Sequence, residues 1–279
     1  MKHIKQVKAP VRIDFAGGTT DIYPFTKIGG AVLNAAINRY VIGKLTATNE
    51  KVSLQYSGNI PTSSGLGTSS VMNLVWLALI SKTKNKIELA EKVYDLEKGL
   101  GLVEGKQDQY ASALGGINFL EFKDNKVKIT KLKLRKELIK KLENSLALVY
   151  TGKPHYSAKS NKLMIDNLKK GKNTENLIRI RDIAKAMKKA LMKRDLEEFA
   201  ELMNQETAER KKLHMAIVTP KLEKFIKTGM ENGAVSAKIC GAGGGGSILF
   251  FCQDKKKFVK KFRKRIIDFK FDFQGLRWL

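Results

Sequence analysis

"PTSSGLGTSS", Pro61 to Ser70, runs straight into the apolar stretch "VMNLVWLALI", Val71 to Ile80. Glycines and hydroxyls set before a helical segment make either a plain capped turn or a cradle for an anion. Gly65 and Gly67 allow tight backbone turns. Thr68, Ser69 and Ser70 are expected to cap a helix that begins there. The free amides and positive end of such a helix suit a phosphate. It is not a Walker-type loop, because no Lys-Ser or Lys-Thr pair follows Gly67.

Working outward, the chain has 279 residues, 43% of them hydrophobic, enough to bury a substantial core. No apolar run approaches the roughly 18 residues that span a bilayer, and the start lacks the apolar centre of a signal peptide. A cytoplasmic protein without a membrane partner is expected. Cys240 and Cys252 sit in apolar surroundings with no CxxC, and three scattered histidines give no zinc spacing. Two reduced structural thiols follow. The formal net charge is +26, which attracts polyanions in general. Lysine is nevertheless spread along the whole chain, with no basic run interleaved with stacking aromatics, so no specific nucleic acid is expected. The densest run, "DKKKFVKKFRKRIIDF", reads as an amphipathic helix with Phe258, Val259, Phe262 and Ile266 on one face.

The first third is strand-like, in "PVRIDFAG" and "YVIGKLTAT". Helices are expected over 69–81, over "KIELAEKVYDLEKGL" and over "KQDQYASALGG"; "INFLEF" and "KVKITKLKL" should pair around Asp124-Asn125. The second half carries four helical segments, beginning with "SAKSNKLMIDNLKKG", then strand–loop–strand in "AVSAKICGAGGGGSILFFC" and a closing strand in "FKFDFQGLRWL". Sheet at both ends and helices throughout give an α+β class, with a domain boundary near residue 145.

Three further elements bear on chemistry. "ICGAGGGGSILFF" satisfies GxGxxG through Gly241, Gly243 and Gly246, but strand-like residues follow, so the dinucleotide reading fails its context. So much glycine still implies a bulged hairpin or a backbone that comes close to a ligand. "LEKGLGLVEGKQDQY" places Glu97 and Asp108 eleven positions apart (108 − 97), with glycines between, so the two acids can converge on one site from two sides. One could hold a magnesium ion while the other meets a reacting hydroxyl. In "APVRIDFAGGTTDIYPF", Arg12 could steady a carboxylate or phosphate, and Asp21 could accept hydrogen bonds from a polyol.

In this order and at these separations, the elements resemble the GHMP kinase superfamily, and most nearly its D-glycero-D-manno-heptose 7-phosphate kinase branch. The resemblance implies a two-lobed fold, with residues 1–145 and 146–279 as N- and C-terminal domains and the active site between them. It implies ATP and Mg²⁺, and a sugar or sugar-phosphate acceptor, with a homodimer as an option. Pro61, Ser63, Ser64, Gly65, Leu66, Gly67, Thr68, Ser69 and Ser70 would cradle the ATP phosphates. Thr68 and Glu97 would hold the metal. Asp108 would face the acceptor hydroxyl with Arg12 beside it. Gly18, Thr20, Asp21 and Gly243, Gly244 and Gly245 would meet the substrate. Members of the heptose branch usually run some tens of residues longer, and the shortfall falls between "VSLQYSG" and "NIPTSSGLG". Two other readings stay open: a kinase of another branch acting on mevalonate, homoserine or galactose, and a non-catalytic nucleotide or RNA binder on this fold.

Overall fold

A computed structural model describes residues 2–102, 104–153 and 164–279. The first hairpin sets the frame. β1 (His3–Ala16) and β2 (Gly30–Ala47) pair antiparallel along nearly their whole length, with register shifts at Pro10/Val11 and Asp14/Ala16. The other edge of β2 is shared: residues 30–35 pair with β4 (Ile117–Lys123) and residues 41–47 with β3 (Val52–Gly58). β5 (Lys126–Lys131) closes the hairpin around Asp124, as the sequence predicts. The terminal strand Arg277–Trp278 returns to the free edge of β1.

β1 is continuously buried from Ala9 to Ala16, so both faces of this sheet are covered. α1 (Thr68–Ile80), α2 (Lys86–Gly99) and α3 (Gln107–Leu114) form one cluster, with α1 and α3 on β1. α4 (Lys136–Ser145) leads into the second sheet, whose order is β7-β8-β6-β9: β6 (Leu146–Tyr150), β7 (Ala234–Ile239), β8 (Ser247–Cys252) and β9 (Ile266–Ile267). α5 (Thr174–Lys193) packs back on the first sheet, while α6 (Leu196–Leu213) lies between α5 and β7 and reaches β1 where Phe15 meets Phe199 edge-on. One hydrophobic cluster therefore runs from Val7 through Leu148 and Met187 to Phe251. A second, smaller one gathers Val149, Ile248, Phe250 and Phe258 beneath α7 (Pro220–Glu231) and α8 (Lys255–Phe262).

Two expectations need correction. The basic run forms α8 only to Phe262; Ile266 lies in β9, so it shares a core with Phe258 and Phe262 but not a helical face. The closing segment is strand only at Arg277–Trp278, with a single bridge at Phe271. Asp272 shapes the rest: its carboxylate accepts from Tyr40, Arg277 and the amides of Gln274 and Gly275. The segment "SAKSNKLMIDNLKKG", expected to be helical, lies partly outside the described residues; of those described, residues 164–169 are helical.

Candidate active site

Strand alternation sends Arg12 and Asp14 to one face of β1 and Ile13 and Phe15 to the other. Arg12 is buried. Its Nε donates to Asp108 Oδ1 at 2.7 Å and Nη2 to Oδ2 at 3.0 Å, a bidentate pair. Nη1 donates to the Gly65 carbonyl at 2.8 Å, and the Arg12 amide to the Leu66 carbonyl at 3.2 Å. One side chain thereby ties α3 to the 61–70 loop. Burial pulls the guanidinium's pKa down, but Asp108 and Asp14 outweigh it and the net shift is upward.

The loop opens α1 differently from the expected capping. The N-cap is Gly67, left-handed at φ 77°, and no side chain caps the helix. Thr68 to Ser70 instead occupy the first turn. Thr68 Oγ1 and Ser64 Oγ are buried without a hydrogen-bond partner. Uncapped first-turn amides beside idle hydroxyls fit an anionic ligand. The loop rests on the second glycine loop: a Cβ at Gly246 would come within 2.8 Å of the Ser64 carbonyl. Part of the glycine in 241–246 thus serves contact between two backbones.

Between these loops lies a cavity of about 370 Å³, lined by the 61–70 loop and by Arg12, Gly18, Asp21, Asp108, Arg210 and Gly241 among others. Asp21 is 3% exposed; its Oδ2 accepts from the Gln107 amide at 3.0 Å, while Oδ1 has no hydrogen-bond partner. Burial pushes this carboxyl up to about 6 against the pull of the Gln107 amide, with Asp108 adding to the rise.

The remaining residues singled out in the sequence are placed as follows. Glu97 lies behind the lining, 1% exposed, with Asn73 donating to Oε1 at 2.9 Å and Gln109 to Oε2. Burial raises its pKa, and Asp108 contributes to the rise. Ser70, on the cavity wall, donates to Glu104 at 3.2 Å. Pro61 and Leu66 belong to the loop but not to the lining; Leu66 is in the core. Thr20 pins its own turn, donating to the carbonyls of Gly17 (2.7 Å) and Ala31 (3.0 Å). Gly243 and Gly244 pack on residues 216–217, and it is Gly241 and Ala242 that face the cavity. Lys106 is buried on Glu91 at 2.6 Å and the Asn125 carbonyl at 3.1 Å. Cys240 and Cys252 are free and buried, and burial pushes each thiol up to about 12.

Sequence reasoning passed over Asp14, Glu104, Glu206, Arg210 and Lys238. Asp14 had a signal, since it stands two residues after Arg12 and a strand puts both on one face. Glu206 and Arg210, four apart on a helix, look like one more solvated pair; nothing local distinguishes them from the exposed acid–base pairs elsewhere in the chain.

Residues 31–116 match the GHMP kinases N terminal domain and residues 187–266 the GHMP kinases C terminal domain. Over 341 aligned positions the chain is 30% identical to D-glycero-alpha-D-manno-heptose 7-phosphate kinase of Campylobacter jejuni, covering 99% of each. It is 29% identical over 209 positions to mevalonate kinase of Methanocaldococcus jannaschii, covering 73% of this chain and 62% of that one. The fold superposes on a D-glycero-D-manno-heptose 1-phosphate kinase of Bacteroides thetaiotaomicron with TM-score 0.78 and 24% identity, covering 99% of both. Fold and sequence together place the chain among phosphotransferases acting on small molecules. It belongs to the GHMP kinases, a family that takes ATP as phosphoryl donor. Among the described residues, no helix is long and apolar enough to cross a membrane.

Proposed function

We propose that this chain transfers the γ-phosphoryl group of ATP, with Mg²⁺, to a hydroxyl of a sugar phosphate of the heptose 7-phosphate kind. The observation that carries this is the bidentate Arg12–Asp108 pair, at 2.7 and 3.0 Å, set between an uncapped helix start and the half-satisfied Asp21 carboxylate. Likeness to the Campylobacter heptose 7-phosphate kinase along 99% of both chains supports the acceptor class.

In this reading, amides of Gly65 to Ser70 bind the donor's phosphates and neutralise their charge. Thr68 Oγ1, buried and idle, fits a metal ligand, and Glu97 would support it from behind the wall once freed from Asn73 or Gln109. When bound, the metal supplies charge neutralisation across the donor phosphates. Arg12 holds Asp108 in one orientation, from which the carboxylate orients the acceptor hydroxyl and accepts its proton. Asp21 Oδ1 is free to accept from a sugar hydroxyl. Phosphoryl transfer asks mainly for positioning and electrostatic stabilisation, and these residues supply both. Residues 1–145 and 146–279 are proposed as the two domains that bring these parts together.

The deciding experiment is an acceptor panel of heptose 7-phosphate, simple hexoses and mevalonate, read by ADP release. Turnover confined to mevalonate would favour the other branch that the Methanocaldococcus relative represents. Asp108→Ala is expected to lose on the order of 10²–10⁴ in kcat while still binding ATP. A variant with near-normal kcat removes Asp108 from this role.

A further inference from the structure

Four charged side chains the proposed chemistry does not use form a buried chain behind the cavity. Lys238 of β7 places Nζ 3.1 Å from Asp14 Oδ2 and 3.4 Å from Glu206 Oε2. Arg210, one turn from Glu206 on α6, donates to Glu206 Oε1 at 2.7 and 3.0 Å. None of the four side chains is more than 1% exposed. The two acids and two bases balance. Burial would push the Asp14 carboxyl up, but Lys238, Arg12 and Arg210 hold it down at about 2.

Such a chain is poor evidence for stability, because desolvating four charges offsets most of their attraction and apolar residues of similar size often serve as well. What it does that apolar residues would not is end on the cavity wall. Arg210 donates to the Gly18 carbonyl at 2.8 Å and to Thr19 Oγ1 at 3.3 Å. At the other end, the Gly241 amide stands 3.5 Å from Asp14 Oδ1. Gly18, Thr19, Asp14, Arg210 and Gly241 all line the cavity. Thr19 is left-handed at φ 80°, a conformation a β-branched residue keeps only when its surroundings impose it. Gly18 itself is wedged: a Cβ there would lie 2.7 Å from Asp14 Oδ2 and 3.1 Å from Arg210 Nη2.

We propose that Arg210, anchored through Glu206, Lys238 and Asp14, is a positioning residue for the acceptor: it holds the Gly17–Asp21 turn to α6 so that Asp21 is presented to the sugar. The acceptor side of this inference rests on the sugar-phosphate reading.

Steady-state kinetics with heptose 7-phosphate and ATP varied separately test it. Arg210→Lys keeps the charge and loses the planar fork. Its acceptor KM is expected to rise about tenfold, the effect of losing one or two buried hydrogen bonds, while the ATP KM stays within about twofold. Equal rises in both constants, or none, overturn the proposal. Thr19→Ala, a smaller change, should raise the acceptor KM in the same direction, and the double variant should show less than the product of the two effects. A fully multiplicative double variant shows that Arg210 does not act through Thr19.

A second readout needs no acceptor. The Thr20 and Ile22 amides, which donate to the Gly17 carbonyl at 3.0 Å and the Thr19 carbonyl at 3.1 Å, should exchange hydrogen faster in both single variants. Unchanged exchange overturns the tether. If the wild type fails to phosphorylate heptose 7-phosphate, the acceptor reading falls, and exchange alone decides whether Arg210 holds the turn.

Discussion

A Cβ added at Gly67 would lie 2.7 Å from Asp108 Oδ2, so the hydrogen there is what lets the carboxylate reach its place. Gly67→Ala is therefore expected to do two things: strain a left-handed residue by about 1–2 kcal/mol and push Asp108 off Arg12. Gly101→Ala separates these effects, since Gly101 has φ +76° but nothing within 4 Å of an added Cβ. Both variants should lose thermal stability, and only Gly67→Ala should lose most of kcat; equal kinetics would remove the steric argument. Asp21 gives the pH prediction. Its folded pKa, about 6, lies above the ordinary 3.8, because burial disfavours the charge. The folded state therefore binds the proton more tightly, and this group's contribution to stability is greatest below 3.8, falls as pH rises towards 6 and stays low above it. At about 1.4 kcal/mol per pH unit, the loss across that window reaches up to about 3 kcal/mol. Asp21→Asn should flatten the wild-type decline in Tm between pH 4 and 6, and should abolish an acidic limb near 6 in kcat/KM for the acceptor. A limb that survives in Asp21→Asn belongs to another group.

Among the elements, α1 shows how the sheet aims the loop. Gly43 of β2 lets the helix settle closely: an added Cβ would meet Val75 Cγ1 at 2.4 Å and Leu79 Cδ1 at 3.0 Å. Overpacking of this kind costs about 1–3 kcal/mol. Because α1 carries the 61–70 loop at its N-terminus, Gly43→Ala should raise the ATP KM more than the acceptor KM, and a change confined to the acceptor would argue against this coupling. The helices with a clear apolar period were legible in the sequence, as were the β4–β5 hairpin and the strand–loop–strand around 241–246. The start of α1 was not. A cluster of Thr68, Ser69 and Ser70 has the composition of a cap, yet the left-handed Gly67 takes the N-cap position and rotates the hydroxyls into the first turn. Ile266 also leaves the helical face, because a 3-10 turn at Arg263–Arg265 follows Phe262 and leads the chain into β9 beside β6.

Across the whole molecule, the net charge of +26 repels itself. At about 10 mM salt the screening length is roughly 30 Å, and at 150 mM it is roughly 8 Å. Tm at pH 7 should therefore rise over that range, while the ATP KM, which benefits from the positive field, should rise with it. A Tm that falls on adding salt would mean that surface ion pairs outweigh the net repulsion. By itself the sequence determined the α+β class and the family, and it singled out both glycine loops, Arg12 and Asp108 as candidates, because these depend on local order: residue type, spacing and the fixed sequence of motifs. The tertiary structure alone decided which groups meet. It set Glu97 behind the wall and ran Asp14, Lys238, Glu206 and Arg210 together out of three distant elements. A charge's burial and partner depend on packing between elements far apart in the chain, and no local pattern encodes that.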